Sequence, residues 1–100
     1  MVKLVVLYRR PPDPEAFDRH YFQVHVPLAA KLPGVKRIEI AKVTGSPMGE
    51  AEHYLMAQLY FADEQALQAA LASPEGQATG KDVRGFAKGL VSIQVAQIQG

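Results

Sequence analysis

The run Val2-Lys3-Leu4-Val5-Val6-Leu7-Tyr8 is apolar at every position but one and rich in β-branched residues, which predicts a first strand stopped by Pro11-Pro12. Asp13 followed by Pro14 supplies a helix cap and a proline at the first helical position, with Glu15 and Asp18 near the electropositive first turn. A helix is predicted from there to about Leu32, where Pro33-Gly34 closes it. Val35 to Val43 alternates polar and apolar residues like a half-exposed strand, and Gly45-Ser46-Pro47-Met48-Gly49 follows as a loop. His53 to Phe61 returns as a third strand. Asp63 caps a second helix over Glu64 to about Ala72, with Leu67, Ala70 and Leu71 on its inward edge. Ser73-Pro74-Glu75 restarts helix toward Phe86 despite Gly76, Gly80 and Gly85, and Leu90 to Ala96 forms the last strand.

The order β-α-β-β-α-β predicts one α+β domain over residues 1–100 with a ferredoxin-like four-stranded antiparallel sheet. In that topology the first and third strands are central and the second and fourth are edges. The pattern agrees, because strands one and three are apolar at nearly all positions while two and four alternate with Lys, Glu, Ser and Gln. Continuous apolarity requires cover on both sheet faces. Two helices cover one face, so the pattern predicts a homodimer in which two sheets pack together.

Composition narrows the function classes. A net charge of +1 and the short basic pairs Arg9-Arg10 and Lys36-Arg37 offer no field for nucleic acid or anionic membrane. Val2 to Tyr8 is far shorter than a membrane span and lacks the small-residue cleavage pattern of a signal peptide. The chain has no cysteine, which excludes disulfides, thiol catalysis and thiolate metal sites and suits a cytoplasmic protein.

Candidate chemistry centres on His25. Phe17, Tyr21, Val24, His25 and Leu28 fall on one helical stripe, so the imidazole points where core residues point, and Pro27 breaks the ladder beside it. Spacing alone favours a buried imidazole bonded to a backbone carbonyl that Pro27 frees. The alternative is the functional centre of an inward pocket, with Tyr21 one turn earlier. Tyr8, Tyr54, Met56, Gln58 and Tyr60 share strand parity and carry polar tips, which makes their face the better candidate for a pocket lining. Arg9 and Arg10 read as a solvated strand end. No metal site is expected, since His20 and His25 are five residues apart on different sides of a regular helix, and no glycine-rich phosphate loop follows a strand.

The strand Leu4-Val5-Val6-Leu7-Tyr8-Arg9-Arg10, the helix motif Asp18-x-x-Tyr21-x-x-x-His25-x-Pro27-Leu28 and the following Leu32-Pro33-Gly34 together resemble the EthD-type members of the dimeric α+β barrel superfamily. The later run Ala70-Leu71-Ala72-Ser73-Pro74-Glu75-Gly76-Gln77-Ala78 and Val83-x-x-Phe86-Ala87 resembles them too, so the likeness spans essentially the whole chain. The resemblance implies small intracellular dimers, a histidine at the His25 position and a pocket between helix and sheet. It turns the reading of His25 toward a ligand-facing role. It implies no single reaction: EthD itself is associated with ether degradation, and superfamily relatives include cofactor-independent monooxygenases, cyclases, lactone isomerases and dehydratases.

Two functions remain open. In one, His25, with Tyr21 beside it, moves a proton on a small apolar or aromatic metabolite held by Phe17, Tyr8 and Met56, with no cofactor. In the other, the same pocket binds such a metabolite without chemistry, as an accessory protein in a degradation pathway. A second acid or base converging on His25 would favour the enzyme, and the linear sequence shows none. His25 lies in an apolar stripe with no carboxylate at i−4 or i+4, where Tyr21 and Ala29 sit, and desolvation is expected to lower its pKa.

Overall fold

The computed structural model describes all residues 1–100. Strands β1 (Val2–Tyr8), β2 (Arg37–Lys42), β3 (Leu55–Phe61) and β4 (Val91–Gln97) form one antiparallel sheet in the order β2-β3-β1-β4. The two apolar strands are central and the two alternating ones are edges, as the pattern predicts. This is the ferredoxin-like α+β arrangement. Helix α1 (Pro14–His20) continues through a π turn (Tyr21–His25) into α2 (Val26–Ala29), and α3 (Glu64–Ala72) is followed at once by α4 (Pro74–Phe86). No helix is long and apolar enough to cross a membrane.

The caps hold where expected. Asp13 accepts from the Ala16 N–H at 3.2 Å, Asp63 from the Ala66 N–H at 2.8 Å, and Ser73 from the Gly76 N–H at 3.0 Å. Ser73 also donates to the Ala70 carbonyl at 2.6 Å, so one side chain ends α3 and starts α4. The first helix stops at Ala29, three residues earlier than predicted, because Pro33 biases Leu32 away from helical backbone and Ala30 to Leu32 close as turns. The edge strand β2 and the central β3 are likewise shorter than their sequence patterns, although the Lys36 and Val43 N–H groups still donate to the Tyr60 and Tyr54 carbonyls at 2.7 and 2.9 Å.

One expectation fails on register. Tyr8 pairs with Leu55 and Leu7 with Met56, so Tyr8 shares a face with Leu55, Ala57, Leu59 and Phe61, while Met56, Gln58 and Tyr60 lie on the other. Odd and even numbering carries no meaning from one strand to another, because pairing register decides it. The helices cover the face of Val2, Leu4, Val6, Tyr8, Leu55, Ala57, Leu59 and Phe61, all buried. The opposite face carries half-buried Val5, Leu7 and Met56, with Lys3 donating to Gln58 at 2.6 Å and Tyr60 to Glu39 at 2.7 Å at one end.

Candidate functional site

The π turn shapes the site. The Val26 N–H donates to the Tyr21 carbonyl, five residues back, which inserts one extra residue into the helix just before Pro27. Pro27 has no N–H, and its ring would press on the carbonyl four residues earlier, so a wider turn relieves the crowding. In a regular α-helix a row spaced by four drifts about 40° per step, and the extra residue removes that drift. Phe17, Tyr21, His25 and Ala29 are consequently all buried in one row, while Val24, predicted on this stripe, is 42% exposed.

The same turn brings His20 and His25 to one side, contrary to the regular-helix expectation. Asp82 of α4 lies between them, with Oδ1 2.8 Å from His20 Nε2 and Oδ2 2.9 Å from His25 Nδ1. Asp82 is the acidic partner that sequence reading missed. An ionised carboxylate only accepts, so His25 donates through Nδ1–H and its Nε2 keeps a free lone pair. That nitrogen makes no hydrogen bond in the chain and is not sealed off, and His25 lines a partly open cavity. Burial pulls the His25 pKa below the usual histidine value. Asp82 opposes this through its hydrogen bond and charge, and His20 adds to it; the lowering prevails. The expected direction therefore holds even with a carboxylate in contact.

The cavity, about 100 Å³, lies between the helices and the covered face of the sheet. Leu4, Val6, Ala57 and Leu59 form part of its floor, Val26, Ala29 and Val83 part of its roof, and the half-exposed Ile93 stands at its rim. No Lys, Arg, Asp or Glu lines it. Its polar side chains are His25, Tyr8, Tyr21 and Thr79. Tyr8 and Tyr21 are 1% and 2% exposed, and their rings meet edge to face at 5.4 Å. Tyr21 in turn lies 5.5 Å from the His25 ring. Burial raises both phenols: Tyr21 is pushed up to about 12, and Tyr8 is raised further by the nearby Tyr21 and Asp82 charges. Both remain neutral donors at any physiological pH.

Of the predicted site residues, the structure brings together His25, Tyr21 and Tyr8. Phe17 packs behind them, stacked at 5.9 Å on Tyr21 and edge-on at 5.4 Å to Tyr8, without lining the cavity. Met56 lies on the opposite sheet face and does not line the cavity. Asp18 of the helix motif instead joins Lys42 at 2.6 Å and Tyr54 at 2.9 Å, tying α1 to the β2–β3 connection.

The sequence model of the EthD domain matches residues 9–89. The chain belongs to the EthD family. It is 41% identical over 93 residues to an 11.0 kDa protein of the thcB-thcC intergenic region of Rhodococcus erythropolis, covering 93% of this chain and 90% of that one. An EthD family protein from Bacillus halodurans has a crystal structure that superposes with a TM-score of 0.96 at 43% identity, covering 99% of each chain. Two more distant structures share the fold alone. One is a dimeric ferredoxin-like protein from Jannaschia sp., at TM-score 0.73, 14% identity and 97% and 98% coverage. The other is SnoaB, a cofactor-independent oxygenase from Streptomyces nogalater, at TM-score 0.72, 17% identity and 99% and 93% coverage.

Proposed function

We propose that this EthD protein binds a small, predominantly apolar or aromatic metabolite in the cavity and transfers a proton on it with His25, without a cofactor. The Asp82–His25 pair carries this reading: His25 lines an apolar cavity and is oriented through Nδ1 by Asp82, which leaves Nε2 without a partner in the chain, so the neutral imidazole is suited to act as a general base and Asp82 to stabilise the imidazolium that forms. A cavity of roughly 150 Å³ holds benzene, so about 100 Å³ with a partly open rim suits a single small ring or short branched chain. The likeness to a cofactor-independent oxygenase is consistent with chemistry that needs no metal or organic group.

Native mass spectrometry of freshly purified protein identifies the occupant, and that molecule is then incubated with the protein in D₂O. The wild type should incorporate deuterium at least about 100-fold faster than the His25→Gln variant, the usual scale for loss of a general base. An occupant that binds both proteins and exchanges with neither would assign the site to storage or delivery in an accessory protein.

We further propose a cytoplasmic homodimer formed through the open sheet face. Half-buried Val5, Leu7 and Met56 would gain cover there, and a domain this small buries only about two-thirds of its unfolded surface alone. The Jannaschia protein of the same fold is dimeric. Light scattering at micromolar concentration should give twice the chain mass, and Leu7→Lys should shift it to monomer; a stable wild-type monomer contradicts the assembly.

A further inference from the structure

We propose that the substrate is a neutral carbonyl compound with an acidic C–H next to the carbonyl, its oxygen held by the hydroxyls of Tyr8 and Tyr21 while His25 takes the proton. This rests on the His25 reading above and adds the class of substrate. Tyr8, Tyr21 and His25, at 1%, 2% and 7% exposure, line the cavity as neighbours, with the Tyr21 ring 5.4 Å from Tyr8 and 5.5 Å from His25, while the fourth polar side chain, Thr79, is engaged with the Glu75 carbonyl. Neither phenol hydroxyl has a side-chain or backbone partner within the chain, and neither is closed off. A hydroxyl that is accessible and has no partner in the chain is free to bond a molecule entering the cavity, and a phenol offers its proton best to an oxygen lone pair. The free His25 nitrogen, held from behind by Asp82, is the complementary base.

The charges select among oxygen compounds. No cationic side chain lines the cavity, so an ionised carboxylate or phosphate would be buried without a counter-charge. A neutral ketone, aldehyde or lactone meets no such penalty. In the reaction the His25 Nε2 lone pair takes the proton from the carbon beside the carbonyl. The C–H electron pair becomes the C=C bond of an enolate, and the carbonyl π pair moves to oxygen, where the two phenol O–H groups receive it. The imidazolium then returns its proton to that carbon or to the far end of a conjugated system, giving exchange or isomerisation with no oxidant or reductant consumed. Hydroxyl donors waiting where negative charge develops are the standard means of stabilising such an oxyanion.

Cyclopentanone is a probe of suitable size, with methylenecyclopentane as its oxygen-free analogue. In D₂O at neutral pD, wild-type protein should speed deuterium uptake into the α positions of cyclopentanone at least tenfold over buffer, followed by proton NMR. Tyr8→Phe and Tyr21→Phe, which keep the packed rings, should each lower that rate about tenfold, and His25→Gln should return it to background. Cyclopentanone should also bind at least tenfold more tightly than methylenecyclopentane, with cyclopentanecarboxylate not binding. If the ketone and the hydrocarbon bind equally and no exchange is catalysed, the carbonyl assignment is overturned while the apolar pocket stands. Exchange that survives both Tyr→Phe changes overturns the role of the phenols. If neither neutral compound shifts the resonances of Val26, Val83 or the cavity tyrosines, the binding function itself fails with it.

Discussion

Replacing Gly76 by alanine is expected to destabilise the fold by about 3 kcal/mol, near the top of the range for overpacking a rigid site. Gly76 sits at the start of α4, folded tightly back on the end of α3. A Cβ there would fall on the Ala70 carbonyl oxygen and within 2.5 Å of the Leu71 carbonyl oxygen. Both obstacles are backbone, fixed by the Ser73 cap and by Ala70, which has no exposed surface. The two helices would have to separate, and Val83 and His25 both depend on where α4 lies. For a domain of this size the loss should appear as a fall of roughly 10–20 °C in melting temperature. Melting within about 3 °C of wild type would show that the junction yields more easily than its geometry implies.

The second large effect is expected at Asp82. In Asp82→Asn the neutral amide can still accept from one histidine, but the imidazolium formed on proton transfer loses its anionic partner. Proton transfer to the bound metabolite should fall by roughly 10²–10⁴-fold, the scale associated with general acid–base groups. The His25 pKa should move further down, because the hydrogen bond and charge of Asp82 are what now oppose burial. Deuterium incorporation and an NMR titration of the same protein read the two effects together. A rate within threefold of wild type would reduce Asp82 to a tie between helices.

Much of this was legible in the sequence, and the physical reason differs for each part. Strand order and edge placement follow from how many faces each strand must bury, which composition records directly. Caps at Asp13, Asp63 and Ser73 are local chemistry and were readable for the same reason. Register is not local, which is why Met56 was placed beside Tyr8 when pairing with Leu7 puts it on the far face. The π turn hid the approach of His20 to His25, since helical-wheel geometry assumes an even turn; Pro27 was its one visible trace. Asp82 left a fainter signal. Its helical neighbours at three and four residues are Ala78, Thr79, Gly85 and Phe86, none of them cationic, so its charge had to find a partner elsewhere. Fifty-seven residues of separation, and the helix packing that closes it, lie beyond any motif.

The central claim is that His25 is a neutral base, protonated on Nδ1 toward Asp82 and free on Nε2 toward the cavity. A nitrogen-15 NMR titration of the histidines in the native protein tests it most directly. At pH 7.5 the account predicts the Nδ1–H tautomer for His25 and titration below the reference value of about 6.5. The stability that follows has a fixed sign. With a lowered folded-state value the unfolded chain takes up the proton first, so this contribution is fully present above about pH 6.5, declines as pH falls from there, and is gone below the folded-state value. An Nε2–H tautomer, or protonation of His25 above the reference value, would contradict the account.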